Sequence, residues 1–122
     1  MKRTLITLLV CCFAVCGTQA QTANELLGKW KLVKWTKKGK EKNIISEFKT
    51  DSVYQVFKDK SEFISVVGST ERKSKWKLSA DNSTLTIRSG IITVPFSIDE
   101  FTPKKRVITS KELGTLTYEK VD

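Results

Sequence analysis

From residue 28 onward, apolar and polar side chains alternate with a period of two, in short runs separated by turn residues. Residues 29–36 read as a first strand, with Trp30 and Leu32 on one face and Val33 and Trp35 on the other. That change of phase predicts a bend or bulge near Leu32. Residues 37–42 read as a charged loop around Gly39, and residues 43–49 as a shorter strand. In residues 52–58, Tyr54 and Val56 lie opposite Val53 and Phe57. Asp59-Lys60 then turns the chain into a strand over 62–67. Residues 68–73 read as a polar connection. Residues 75–79 and 84–88 flank the turn chemistry of Asp81-Asn82-Ser83, with Trp76, Leu78, Leu85 and Ile87 facing in. A long strand over 91–101 is interrupted at Pro95, which predicts an edge position or a bulge. Residues 106–110 and 115–121 make the last pair.

Residues 21–27 form a polar lead-in. Asn24 there caps one helical turn carrying Leu26 and Leu27, placed to plug one end of a barrel. No other segment has helical periodicity over three turns. Hairpin-length connections favour up-and-down order. The predicted fold is all-β: a single up-and-down antiparallel β-barrel of about eight strands, with a short N-terminal helical turn. Such a barrel removes its sheet edges and has room inside for side chains or one small ligand.

The first twenty residues follow a different pattern. Lys2 and Arg3 precede a run that is almost wholly apolar over residues 5–15, and Thr18-Gln19-Ala20 is a small-x-small cleavage site. This is the pattern of a secretory signal peptide over residues 1–20, leaving a domain over residues 21–122. The expected destination is periplasmic or secreted. The alternative is an outer-membrane lipoprotein anchored through Cys16, although Val15 is a poor neighbour for a lipidated cysteine. The three cysteines, Cys11, Cys12 and Cys16, all lie in the leader, so the domain has no disulfide.

Composition narrows the chemistry. Of 22 basic residues, 20 remain without Lys2 and Arg3, against 13 acidic ones, so a formal charge of +9 becomes +7. Many lysines alternate with apolar residues, as on the wet face of a strand; Lys73, Lys75 and Lys77 are examples. They serve solubility and edge protection, or attract an anionic surface such as a glycan or lipid headgroup. No nucleic-acid motif is present. The chain has no histidine, which removes imidazole metal sites and serine–histidine or cysteine–histidine nucleophilic systems. The carboxylates sit in turns and at strand ends, and Asp99 and Glu100 are adjacent, so they point to opposite faces. No facing acid pair and no calcium loop emerges. The reading is of a non-enzyme without metal or cofactor.

The aromatic residues stand out instead. Alternation places Trp30, Trp76 and Phe96 on inner faces, with Tyr54, Phe63 and Tyr118 as further candidates. Aromatic side chains fill such a core, or some of them line a pocket for an apolar ligand. Tyr54, Phe63, Trp76 and Phe96 are the candidate wall.

Leu27-Gly28-Lys29-Trp30-Lys31-Leu32 resembles the first-strand motif of the lipocalin superfamily. Trp76-Lys77-Leu78, then Asp81-Asn82-Ser83-Thr84-Leu85-Thr86-Ile87, and finally Lys111-Glu112-Leu113 with Tyr118-Glu119-Lys120-Val121, resemble small bacterial secreted lipocalin-like domains. The resemblance implies a non-enzymatic binder of small apolar molecules. It also implies that Gly28 and Trp30 form a barrel-floor motif under a basic side chain of the last strand. Lys120 matches that place, where the family more often has arginine. The chain lacks the disulfide and long C-terminal helix of typical lipocalins. The leading expectation is an exported monomer holding a hydrophobic ligand inside. The alternative is a packed barrel that meets a protein or an envelope component through its basic exterior.

Overall fold

The computed structural model describes residues 23–121. The expected leader, its expected cleavage site and Cys16 lie outside the described residues. A single helical turn, α1 (Ala23–Leu26), leads into nine antiparallel strands: β1 (Gly28–Lys37), β2 (Lys40–Lys42), β3 (Val53–Phe57), β4 (Glu62–Val67), β5 (Thr70–Leu78), β6 (Thr84–Ser89), β7 (Ile92–Phe101), β8 (Lys105–Ser110) and β9 (Gly114–Lys120). A second short helix, α2 (Ile44–Phe48), joins β2 to β3. Strands β3 to β9 pair in chain order, β3 pairs with β1, and β9 returns to β1. Eight strands therefore close into the expected up-and-down barrel. The extra strand, β2, pairs with the far half of β1, opposite Trp35 to Lys37.

Closure depends on a bulge. Trp30 and Leu32 pair with Lys120 and Tyr118; then the register slips by one residue, so that Lys34 meets Thr117 and Trp35 meets Leu116. The extra residue is Val33, left 39% exposed. The phase change seen in the sequence is this bulge, and it returns Trp35 to the same inner side as Trp30 and Leu32. A second slip lies between Ile98 and Glu100 in β7. Pro95 pairs with Thr86 of β6, whereas β8 meets β7 only from Ser97 onward. Proline thus sits where β7 is locally an edge, so no partner strand lacks a donor.

Four readings of the sequence need correction. Residues 43–49 are not a strand. The Asn43 side chain accepts a hydrogen bond from the Ser46 N–H at 2.9 Å, and Lys49 closes the turn in the left-handed region at φ 66°. These caps favour helix, and Ile44 and Phe48, four residues apart, turn one face to the barrel. Residues 37–42 are a hairpin rather than a loop, because Lys38 and Gly39 both take positive φ and pair Lys37 with Lys40. Residues 68–73 are not a connection. Gly68-Ser69 is a two-residue turn, and β5 begins at Thr70. The turn at Asp59-Lys60 also takes in Ser61, since the Lys58 N–H bonds the Glu62 carbonyl at 2.8 Å across three residues.

One hydrophobic core fills the barrel. It includes Leu26, Trp30, Leu32, Phe57, Leu85, Ile108 and Tyr118, each nearly fully buried. All but Leu26 are inward positions of the strands, as a period of two requires.

Candidate functional site

The end of the barrel nearest the start of β1 is sealed from the residues upward. Gly28 holds φ 124°, a conformation that L side chains rarely adopt, and this turns the chain from α1 into β1. Two residues later Trp30 enters the interior with no exposed surface. Its indole Nε1 donates to the Leu26 carbonyl at 2.9 Å, satisfying both the indole and the end of α1. The Phe101 ring meets Trp30 edge-on at 6.0 Å, and the Lys120 Nζ lies 5.0 Å from the Trp30 ring centre. Gly28, Trp30 and Lys120 are thus together at the barrel floor.

The floor holds a second cation, one that the sequence analysis did not single out. Arg106 on β8 is completely buried. Its guanidinium lies 5.0 Å from the Trp30 ring, 4.8 Å from Phe57 and 4.6 Å from Tyr118. One terminal nitrogen donates to the Gln55 Oε1 at 2.8 Å, whereas Nε and the other terminal nitrogen have no partner among the described residues. Desolvation pulls Arg106 down to about 10, against a smaller opposing pull from Tyr118; it stays charged at neutral pH. Burial likewise pushes the Tyr118 phenol up to about 12, with Arg106 opposing. The aromatic faces take the place of water around the guanidinium. A signal for this residue was present in the sequence: Arg106 shares its phase with Ile108, which faces in.

Of the four wall candidates, three face in. Phe63, Trp76 and Phe96 are 3%, 7% and 4% exposed. Phe57 contacts Phe63 at 5.0 Å and Trp76 at 5.6 Å, both edge-on, and Trp76 Nε1 donates to the Lys58 carbonyl at 2.9 Å. Phe96 lies across from Leu85. These side chains pack the core. Tyr54 is the correction. It pairs with Lys31 and Val66 on the outer face, with the Lys29 Nζ 4.3 Å from its ring. Val53, Gln55 and Phe57 take the inner positions of β3, where Val53 and Phe57 join the core and Gln55 accepts from Arg106.

The opposite end is less completely covered. Trp35, Phe48, Val67, Ile87 and Val94 are half-buried apolar side chains packed on the core, and α2 lays Phe48 on Trp35 with ring centres 5.5 Å apart. Trp35 Nε1 donates to the Leu113 carbonyl at 2.6 Å, tying β1 to the β8–β9 turn. Beside that turn, the start of β7 overhangs the end of β8 and leaves a cleft of about 490 Å³. Its lining is mostly outward-facing, with Thr93, Pro95, Ser97 and Thr109, and Val94 and Ser110 are the lining residues that face the interior.

Together these features define a class: a small closed antiparallel barrel, floored by a tryptophan beneath basic side chains, with an apolar end less covered than its floor. The model of the family described as lipocalin-like domain matches residues 26–118. The chain belongs to the lipocalin-like family, and this family and fold support a ligand-binding role in general. No curated protein and no solved structure matches the chain.

Proposed function

We propose that the protein binds one small apolar molecule at the barrel end opposite Trp30. The observation that carries this is the set of half-buried apolar side chains there, Trp35, Phe48, Val67, Ile87 and Val94, incompletely covered where the start of β7 outruns β8. A cleft of about 490 Å³ beside them runs along outward-facing residues of β7 and β8 and the polar β8–β9 turn, and meets the interior at Val94 and Ser110, inward by register with β6 and β9. Small-molecule sites run to roughly 300–1,000 Å³ and are mostly apolar. The neighbouring inner side chains, Trp35, Phe48, Val67 and Ile87, are apolar and only partly covered, which supports an uncharged, hydrophobic ligand. The floor end, packed around Trp30 and Arg106, is the worse candidate. With the leader over residues 1–20, this reading makes the protein an exported, monomeric, non-enzymatic binder.

The test is titration with the uncharged fluorophore N-phenyl-1-naphthylamine. Saturable binding is expected, lost in Val94→Trp, which fills the cleft, and kept in Val107→Trp on the outer face of β8. No saturable binding, or binding untouched by Val94→Trp, refutes the reading.

A further inference from the structure

The basic residues of β5 and β6 form one face. Lys73, Lys75 and Lys77 alternate outward on β5, and Arg88 lies directly across from Lys75 on β6. With Lys58 they line two adjoining outer grooves of about 370 and 810 Å³, where Glu62 is the one carboxylate. None of the five cations has an ion-pair partner among the described residues; the two salt bridges there are Lys42–Glu47 and Lys105–Glu100. Five like charges on one face repel one another, and the single groove carboxylate, Glu62 across from Lys75, offsets only part of that repulsion.

The same face ends in an apolar tip. Gly90, at φ 64°, turns β6 into β7, and the isoleucines after it, Ile91 and Ile92, are 99% and 64% exposed. Gly90 and Ile91 line the larger groove together with Lys75, Lys77 and Arg88. Two neighbouring isoleucines at a hairpin tip contribute nothing to the core. A soluble polyanion would engage the cations but leave the isoleucines in water. An anionic bilayer satisfies both: headgroups meet the cations while the tip enters the acyl boundary.

We propose that the outer face of β5–β6 and the Ile91–Ile92 tip form a docking surface for anionic lipid bilayers. The surface meets the cleft beside Val94 at Thr93 alone, and neither proposal depends on the other.

The experiment is co-sedimentation of the full chain with vesicles of equimolar phosphatidylcholine and phosphatidylglycerol, against vesicles of phosphatidylcholine alone. Residues 1–22 are common to every variant, so differences between variants report the barrel face. The wild type partitions onto the anionic vesicles and is released by added salt. Lys73→Gln/Lys75→Gln/Lys77→Gln weakens partitioning about a hundredfold. Ile91→Ser/Ile92→Ser weakens it about tenfold, and Lys37→Gln/Lys38→Gln/Lys40→Gln far less than the β5 set. Equal losses from the two lysine sets, or no salt release of the wild type, overturn the proposal. So does an unchanged isoleucine variant, above all if dextran sulfate competes fully for both forms, which points to a polyanion partner. Fluorophore binding in the cleft is expected to be the same in all these variants, so failure here leaves the cleft reading standing.

Discussion

The Arg106 guanidinium carbon lies 5.0 Å from the centre of the Trp30 ring, and neither side chain has any exposed surface. A cation in that position faces two opposing effects. Three aromatic rings and the Gln55 amide stabilise it, while loss of water and two unpaired nitrogens destabilise it. Desolvation pulls Arg106 from 12.5 down to about 10, with the charge interaction with Tyr118 opposing it.

The guanidinium charge is therefore dispensable for stability, whereas the volume of the side chain is not. Arg106→Met keeps most of the packing and removes the unpaired nitrogens; its unfolding free energy stays within about 1.5 kcal/mol of the wild type. Arg106→Ala opens a cavity beneath Trp30 and loses about 3–5 kcal/mol. Urea denaturation distinguishes the two. A methionine variant as unstable as the alanine variant means that the charge itself holds the floor.

Alkaline pH separates Arg106 from Tyr118. The folded phenol is raised from 10.0 to about 12, so the unfolded chain loses its proton first. Tyr118 thus contributes stability that is complete below pH 10 and lost as pH rises to about 12. Arg106, lowered from 12.5 to about 10, acts in the other direction: its folded form sheds the proton first, and stability rises with pH between those values. The two nearly cancel in the wild type. Tyr118→Phe removes only the loss, so the variant gains on the wild type by about 2–3 kcal/mol across that window. A stability difference that is constant with pH contradicts this.

Gly114 and Gly39 both hold positive φ, at 93° and 79°, but their surroundings differ. A Cβ on Gly114 would strike the Thr36 carbonyl oxygen and crowd Lys37, where β9 closes against β1. A Cβ on Gly39 would meet nothing within 4 Å. Gly114→Ala is expected to cost about 2–4 kcal/mol, and Gly39→Ala about 1 kcal/mol from backbone strain alone. Thermal unfolding of the two variants checks the order, and equal costs would show that closure does not rely on this close approach.

The strands were legible because burial on one face imposes a period of two, and the Val33 bulge announced itself as a change of phase. What escaped the reading needed a partner to be seen. The period separated Tyr54 and Val56 from Val53 and Phe57, yet could not say which pair faced in. Val53 and Phe57 are the pair that joins the core, and the polar Gln55 between them, which accepts from Arg106, concealed the inner face. Arg106 follows Lys104 and Lys105 in sequence, so its charge conceals an inward position that its phase with Ile108 gives. Over residues 43–49 the signals for helix were caps, which act through single hydrogen bonds and leave no period. The less covered end escaped notice because it depends on β7 outrunning β8, a matter of register between strands.

The central claim is that the ligand sits beside Trp35 and away from Trp30, and short-range quenching by a brominated long-chain alcohol tests it most directly. Two variants each keep one of these indoles: Trp30→Phe/Trp76→Phe and Trp35→Phe/Trp76→Phe. The account predicts saturable quenching in the first, which retains Trp35, and none in the second, which retains Trp30. Quenching of Trp30, or of neither indole, would contradict it.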